Sequence, residues 1–562
     1  MKLVSVATMR AVEQQADAHG LTYAEMMANA GRNLAEEVRR LVPEEEEKKQ
    51  VVGLVGAGNN GGDTLVALSH LAQWGWKAHA YLVQRRAEGD ELVHRLEQAG
   101  GTITLAHSDS GFARLRELLA STDVLLDGLL GTGFKPPLKK EIGAVLTATR
   151  LAIEALAWPP LVVAVDCPSG VDCDSGEAAS ECLAADVTVT MAAVKHGLLK
   201  MPAYALTGEL RTVDIGVLDD LPAWQGIHDE VMDENLAQAL LPLRPLDAHK
   251  GTFGTVVVAA GSVNYTGAVL LAGRAAYRAG AGLVTLAIPT PLHAALAGQF
   301  PEATWLLLPH ELGVISADAA EVLIQHLGRA SALLLGPGLG VEETTAEFVA
   351  ALLAGTEGKA ARGQIGFVPR QEKQEEKSPV LPPLVVDADG LKLLTKVADW
   401  PRRLPAGTIL TPHPGEMAVL TGLTVTAIQG ERLETARRFA AEWGQVVVLK
   451  GAFTVIAAPD GRTTTIPVAT PALARAGTGD VLAGLIAGLR AQGVEAYDAA
   501  RLAAWIHAQA GLRAAEWQGS PASVLAGDVV EMIPHVLAAL EACRASRDYG
   551  RISSSGCSGE VG

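Results

Sequence analysis

Basic charge, cysteine, aromatic residues and long apolar runs are all scarce in this chain of 562 residues, and each scarcity excludes something. Lys and Arg number 46 against 63 Asp and Glu, a formal net charge of -17. Nucleic acid is therefore not the main partner, because a phosphate backbone needs a basic face. Five cysteines (Cys167, Cys173, Cys182, Cys543, Cys557) form no CxxC pair. An odd, low count in so long a chain fits reduced thiols in a cytoplasm better than a disulfide framework. Hydrophobic residues reach 49 %, yet charged or polar residues interrupt every apolar stretch before the roughly 18 residues that span a bilayer. No membrane association is expected. After Lys2, Arg10, Glu13 and Asp17 follow at helical spacing, which is not the pattern of a secretory signal.

What is present is a long series of short apolar runs, each followed by glycine and polar residues. Length alone suggests about three to four domains, or two large α/β ones. Residues 3–42 are helical in pattern, with Met9, Val12, Ala16, Met26, Met27, Ala30, Leu34 and Val38 at spacings of three and four. Pro43 ends them, and the charge run from Glu44 to Lys49 reads as a solvated loop. The strand Val51-Val52-Gly53-Leu54-Val55 then runs into Gly56-Ala57-Gly58-Asn59-Asn60-Gly61-Gly62-Asp63 and a helix. That is the opening unit of a doubly wound, Rossmann-like sheet, whose ligand crevice lies at the strand C-termini. A GxG turn alone is also a common packing turn. Asn59, Asn60 and Asp63 add oxygen ligands that a dinucleotide fingerprint lacks. Two further strands end in Asp127, before Gly131-Thr132-Gly133-Phe134-Lys135-Pro136-Pro137, and in Asp166, before Cys167-Pro168-Ser169-Gly170. Carboxylates at parallel strand tips converge on one crevice. With an amide, Ser169 and backbone carbonyls they suit a hard cation, preferably monovalent. Asp172, Asp174 and Gly176 lack the register and closing Glu of a calcium loop and read as a turn. Lys195, following a strand, is expected in solvent.

Residues 222–245 carry prolines and a polar mix and read as the interdomain linker. A second α/β domain follows, with strands at residues 255–260, 283–288, 332–335, 384–386, 408–410 and 446–449. Its strand ends carry Gly261-Ser262 with Tyr265 and Ala268, Gly336-Pro337-Gly338, Asp387-Ala388-Asp389-Gly390, Thr411-Pro412-His413-Pro414-Gly415-Glu416, Lys450-Gly451-Ala452-Phe453-Thr454, and Gly477-Thr478-Gly479-Asp480. Six such loops on one sheet edge describe a built site. The glycines around Thr478 and the helix start behind them form an anion hole. Asp480 in that first turn has two readings, a helix cap or a base acting on a hydroxyl beside bound phosphate. A helix N-terminus favours its ionised form, which weakens it as a base.

On the motifs from Asn59 to Asp63, Asp127 with Gly131 to Pro137, and Asp166 to Gly170, residues 1–221 resemble the N-terminal YjeF domain, the epimerase of hydrated NADH and NADPH. The resemblance implies substrate contacts at Asn59, Asn60, Gly61, Gly62, Asp63, Gly131, Thr132, Gly133, Phe134, Lys135, Pro136, Pro137 and Asp166, and potassium held by Asn60, Asp127 and Ser169. Thr64 departs from it, standing where a further Gly is usual. Residues 246–543 resemble the C-terminal YjeF domain, a ribokinase-like α/β fold that dehydrates hydrated NAD(P)H with ADP in bacteria or ATP in eukaryotes. This implies Ala268, Gly338 and His413 on the hydrated cofactor, Lys450, Gly451, Ala452, Phe453, Thr454 and Gly479 on ADP with Mg2+, and Asp480 on the substrate hydroxyl. Asp166 and Asp480 are the expected catalytic residues. A homo-oligomer is expected. Two alternatives stay open, a C-terminal small-alcohol or vitamin kinase and a non-catalytic N-terminal scaffold module. The Lys-, Arg-, Glu- and Gln-rich residues 356–379 read as a surface insertion over the cleft, and residues 544–562 as a disordered tail.

Overall fold

The computed structural model describes residues 1–42, 49–354 and 381–554, with side chains through residue 542. Pro43, most of the charge run, the insertion at residues 356–379 and the side chains of Cys543 and Cys557 lie outside the described residues. Lys49, expected in solvent with that run, is buried, its ammonium over the Trp76 ring at 5.5 Å and bonded to the Val42 carbonyl. The chain divides into two compact units, Met1–Val231 and Met232–Gly562. The division falls inside the stretch read as a linker. That stretch is not wholly extended, because Asp233 accepts from the Leu236 N–H and caps a helix, Glu234–Leu240, that buries Ala237 and Gln238.

In the first unit a seven-stranded parallel sheet has the order β3-β2-β1-β4-β5-β6-β7, where β1 is Gln50–Val55, β2 Lys77–Leu82, β3 Thr102–Leu105, β4 Val124–Gly128, β5 Leu161–Val165, β6 Val187–Met191 and β7 Glu209–Val213. The Val-, Leu- and Ala-rich central strands are buried on both faces, as a sheet covered by helices requires. Strand order reverses between β1 and β4, and there a ligand crevice opens. The helical pattern at residues 3–42 is two helices, α1 (Val6–Ala18) and α2 (Tyr23–Leu41). Gly20, at φ 101°, breaks it, and Thr22 starts α2 with a capping box to Glu25. Ahead of α1, Leu3–Val4 pairs in parallel with Val194–Lys195. The helix after β1, α3 (Asn59–Gln73), packs on α2.

The second unit is also mixed α/β. Its strands are β8 (Thr255–Ala259), β9 (Leu283–Pro289), β10 (Thr304–Leu308), β11 (Ala332–Leu335), β12 (Leu384–Val386), β13 (Ile409–Leu410), β14 (Val446–Leu449), β15 (Val455–Ala457) and β16 (Thr463–Thr465), in the order β10-β9-β8-β11-β12-β13-β14-β15-β16. All neighbours are parallel as far as β14, and β14 to β16 are antiparallel. Order again reverses, between β8 and β11. The helix carrying Asp480, α5 (Thr478–Ala491), lies backbone-close against α4 (Thr266–Arg278): a Cβ on Gly484 would fall 2.1 Å from the Ala272 carbonyl oxygen, and one on Gly488 2.6 Å from that of Ala276. Small residues let two helix starts, at Ala268 and Asp480, be held rigidly. Behind α5 lies α6 (Ala496–Gln518). The last helix, Ala526–Ser554, runs on into the expected disordered tail, where Arg544, Ala545 and Arg547 are good helix formers that no proline interrupts. Among the described residues no helix is long and apolar enough to cross a membrane.

Candidate active sites

At the tip of β1 the backbone is packed too tightly for side chains. A Cβ on Gly56 would sit 1.9 Å from the Leu129 carbonyl oxygen, and one on Gly61 2.0 Å from that of Gly56. With Gly58 as its cap, α3 begins at Asn59, so Asn59 to Asp63 form a first helical turn rather than the loop expected. The positive end of α3 thereby faces the crevice. A cavity of about 960 Å³ opens there, lined by Asn59, Asn60, Asp63, Gly131, Thr132, Gly133, Phe134, Lys135, Pro137 and Asp166. Gly61, Gly62 and Pro136 are not among its walls. Gly62 instead makes room for Met27, whose Cε lies 2.7 Å from the position of a Cβ. Thr64, the departure from the family pattern, is buried, donates to the Asn60 carbonyl (2.8 Å), and faces the bare Cα of Gly128.

Asp166 stands just past β5 in the left-handed region, φ 64°, a conformation costly for a residue with a side chain. Its Oδ1 accepts from Lys195 Nζ (2.5 Å), the Met191 N–H (2.9 Å) and Thr190 Oγ1 (3.0 Å). Lys195 is thus not in solvent. It is 1 % exposed, and also donates to Thr190 Oγ1 and the Met191 carbonyl. With Oδ1 saturated, Oδ2 is left for the cavity. Two more carboxylates join it. Burial, then Asp166 and Glu13, push Asp63 well above the usual carboxylate range against the pull of Lys195. Burial also raises Glu13, with Lys195 and Arg10 opposing and Asp166 adding. Glu13 and Arg10, both on α1, line the same cavity, and Arg10 Nη2 lies 3.3 Å from the position a Cβ would take on Gly133.

Asp127 does not share that cavity wall. It is buried within β4, where Oδ2 accepts from the Ser169 N–H (2.8 Å) and Oδ1 has no hydrogen-bond partner. Around it, Ser169 Oγ accepts from the Leu130 N–H (2.9 Å), and Asn60 Nδ2 donates to the Leu130 carbonyl (2.8 Å). Burial raises the Asp127 carboxyl, partly offset by Ser169. An orphan buried carboxylate oxygen beside an amide, a hydroxyl and a carbonyl matches the donor set of a hard cation.

In the second unit the strand-end loops converge as expected, except that the stretch around Asp480 follows the antiparallel β15–β16 pair rather than a parallel strand. Gly338, at φ 63°, abuts Tyr265 and Ala268 across the reversal between β8 and β11, a Cβ there lying 2.7 and 3.0 Å from theirs. His413 caps the helix Pro414–Thr421, its Nδ1 accepting from the Gly415 and Glu416 N–H groups while Glu416 Oε2 accepts from its own N–H. Lys450, past β14, pairs with Asp387 Oδ1 (2.6 Å) and lies 3.7 Å from Glu416 Oε2. Burial works against its charge, but Asp387, Glu416 and Asp480 outweigh that and hold its pKa above the ordinary range. Gly451 and Thr454 close a turn on one another, while Arg432 crosses beneath, donating to the Leu449 and Lys450 carbonyls. Burial brings that guanidinium down to about 10. Gly477, at φ 90°, starts α5, so Thr478 to Asp480 are already helical. Lys450 Nζ lies 3.4 Å from the position of a Cβ on Gly479. Asp480 is pushed up to about 7, first by burial, then by Asp387, with Asp389 and Glu416 adding and Lys450 opposing. Burial and three neighbouring carboxylates thus act on Asp480 against the pull of the helix N-terminus.

Residues 23–197 match the family model described as YjeF-related protein N-terminus, and residues 256–535 that described as NAD(P)H-hydrate dehydratase. Over 547 residues the chain is 36 % identical to the bifunctional NAD(P)H-hydrate repair enzyme of Moorella thermoacetica, covering 96 % of this chain and 97 % of that one. The chain belongs to the bifunctional NAD(P)H-hydrate repair enzymes. The member from Salinibacter ruber is 34 % identical over 558 residues, covering 95 % of this chain and 96 % of its own. A crystal structure of the ADP/ATP-dependent NAD(P)H-hydrate dehydratase from Bacillus subtilis, co-crystallised with ATP/Mg2+, is 30 % identical with a TM-score of 0.44, covering 55 % of this chain and 98 % of that one. Several site residues of this repair-enzyme chain escaped sequence reasoning. Arg10 and Glu13 precede the family match, on a helix for which only the helical spacing was read. Their spacing of three, away from the buried stripe Val6, Met9, Val12 and Ala16, was the available signal. Asp387, Asp389 and Glu416 stood in strand-end loops without a role, and nothing in the sequence marks the buried His507 on α6.

Proposed function

We propose that the chain repairs hydrated NADH and NADPH, the first unit interconverting the two epimers at carbon 6 of the nicotinamide ring and the second removing the hydroxyl with ADP. The observation that carries this reading is Asp480 at the start of a glycine-led helix, a carboxylate brought to about 7 near the half-buried Lys450–Asp387 pair. Near neutrality such a group accepts a hydroxyl proton without being permanently protonated. ADP is assigned to Lys450, Gly451, Ala452, Phe453, Thr454 and Gly479, and the hydrated ring to Ala268, Gly338 and His413. As Asp480 takes the proton from the carbon 6 hydroxyl, that oxygen attacks the terminal phosphorus of ADP and AMP leaves. The α5 N–H groups and Lys450 stabilise charge on the moving phosphoryl. Phosphate then departs from carbon 6, the ring nitrogen lone pair fills the gap, and loss of a proton from carbon 5 restores the dihydro ring. Magnesium is assigned to the nucleotide phosphates rather than to side chains: among the described residues no group of three or more His, Cys, Asp or Glu is placed to hold a metal.

In the first unit Asp166 Oδ2 is the group for proton transfer at carbon 6, with substrate held by Asn59, Asn60, Asp63 and residues 131–137. Asn60, Asp127 and Ser169 would hold potassium, with the unpartnered Asp127 Oδ1 facing it, and when bound it would supply positive charge for the substrate phosphates. A potassium-dependent rise in melting temperature that persists in Asp127→Asn would count against that site. The buried free thiols Cys167, Cys173 and Cys182 support a cytoplasmic setting. The deciding experiment supplies the hydrated cofactor with ADP, then with ATP, and follows return of reduced-nicotinamide absorbance and release of phosphate. A stable phosphorylated product without returning absorbance sinks the dehydratase reading in favour of a kinase.

A further inference from the structure

Asp387 lies buried at the tip of β12, and no proton or phosphoryl step above uses it. Its Oδ1 accepts from Lys450 Nζ (2.6 Å) and Thr411 Oγ1 (2.7 Å). Its Oδ2 is buried with no hydrogen-bond partner and lies 3.9 Å from the position of a Cβ on Gly479, the residue before Asp480. A buried carboxylate oxygen without a donor is costly, and packing alone does not explain retaining the charge. We propose that Asp387 is a positioning residue for dehydration, clamping Lys450 at the strand end and, through its negative charge, keeping Asp480 basic enough to take the substrate proton. The inference rests on the dehydratase reading of the second unit.

The charged surroundings of Asp480 allow the contribution to be isolated. Asp389 begins the helix after β12, where its Oδ2 accepts from the Gly340 N–H and its Oδ1 from Lys392. Glu416 is committed to the His413 cap and Lys450 to Asp387. On α6, His507 is held down to about 4 chiefly by burial and is neutral near pH 7, with its ring against the Thr478 backbone. The charged groups of α4 and the last helix turn elsewhere: Arg274 to the Gln299 carbonyl, Arg278 to Glu531, Asp528 to the Leu525 N–H. Asp387→Asn therefore removes one negative charge at nearly constant shape. It relieves repulsion on Asp480 and releases the full field of Lys450, and both effects make Asp480 a weaker base.

The test compares the full chain with Asp387→Asn, Thr411→Val and Lys450→Met, reading kcat/KM for ADP-dependent dehydration against pH. Asp387→Asn is expected to move the midpoint of the acid limb down by about one pH unit or more, and to raise KM for ADP because Lys450 loses its anchor. Thr411→Val removes a hydrogen bond to the same oxygen but no charge, and leaves the midpoint in place. Lys450→Met moves the Asp480 titration the other way, which keeps the inference testable if Asp387→Asn does not fold. A midpoint unmoved in Asp387→Asn, or moved equally by Thr411→Val, overturns it. Carboxyl 13C NMR titration of Asp480 in the substrate-free proteins reads the same midpoints. A parent that fails to dehydrate while these shifts persist refutes the dehydratase reading and leaves the electrostatic role standing.

Discussion

Replacing Lys195 by Met tests how the epimerase unit holds Asp166, its proposed proton carrier. The ammonium is 1 % exposed and makes three contacts, with Asp166 Oδ1 (2.5 Å), Thr190 Oγ1 (2.9 Å) and the Met191 carbonyl (3.0 Å). Breaking a buried ion pair from one side costs about 3–5 kcal/mol, because the other charge stays behind. Here Asp166 Oδ1 keeps the Met191 N–H and Thr190 Oγ1, and its side chain is 13 % exposed toward the cavity. The expected loss is therefore at the low end, about 3 kcal/mol. Hydrogen exchange of the β6 amides in the full chain measures it. Epimerisation should fall with it, while ADP-dependent dehydration by the same preparation should not. In the double variant Lys195→Met/Asp166→Asn no charge is stranded, and a coupling of about 1–3 kcal/mol should return. A single-variant cost below about 1 kcal/mol, the range of exposed pairs, or a double variant that simply sums the two losses, refutes the argument.

Three further outcomes follow from the geometry. Asp480→Asn should lower dehydration by about 10²–10⁴-fold, the usual worth of a positioned base, and spare epimerisation, and Asp166→Asn should do the reverse; loss of both activities from either change would falsify separate sites. Because the folded-state pKa of Asp480 is raised to about 7 from 3.8, its linkage favours the protonated fold: that contribution is fully present below about pH 4 and is lost as pH rises through about 7. Dehydration runs the opposite way, rising through about pH 7 as the base ionises, so a rate flat across that range in steady-state assays contradicts the assignment. Gly61→Ala would drive a Cβ to 2.0 Å from the Gly56 carbonyl oxygen, backbone that cannot give way as a side chain would. Epimerase activity should be lost with at least about 1–3 kcal/mol of stability, and a variant with parental melting temperature would show that the β1 tip is looser than described.

Both sheets were legible where strands are apolar on both faces, as in β1, β4, β5 and β8, because a run such as Val51 to Val55 or Val256 to Val258 fits only a covered parallel sheet. They were not legible where polar residues break the run. Lys77 and His79 in β2, Thr102 and Thr104 in β3, and Glu209 and Arg211 in β7 hid strands toward the sheet edge, and the short β15 and β16 gave no periodicity to read. The glycine-rich strand ends were found for the same local reason: a turn that abuts backbone at 1.9–2.0 Å excludes every other residue. What local reading missed is the device common to both units, a lysine from one strand end clasping an aspartate from another, 29 residues apart for Lys195 and Asp166 and 63 apart for Lys450 and Asp387. No spacing rule reaches across such distances; only the parallel order of the strands brings the tips together. The pairing serves the two units differently. In the first, the clasped aspartate is itself the candidate proton carrier, held by one oxygen so that the other faces the cavity. In the second, the clasped aspartate stands behind the candidate carrier, and after burial its charge is the largest influence raising Asp480. A sequence pattern records the carboxylates in both cases, and in both the lysine takes Oδ1; what separates them is burial, since Asp166 is 13 % exposed on a cavity wall and Asp387 is 1 % exposed.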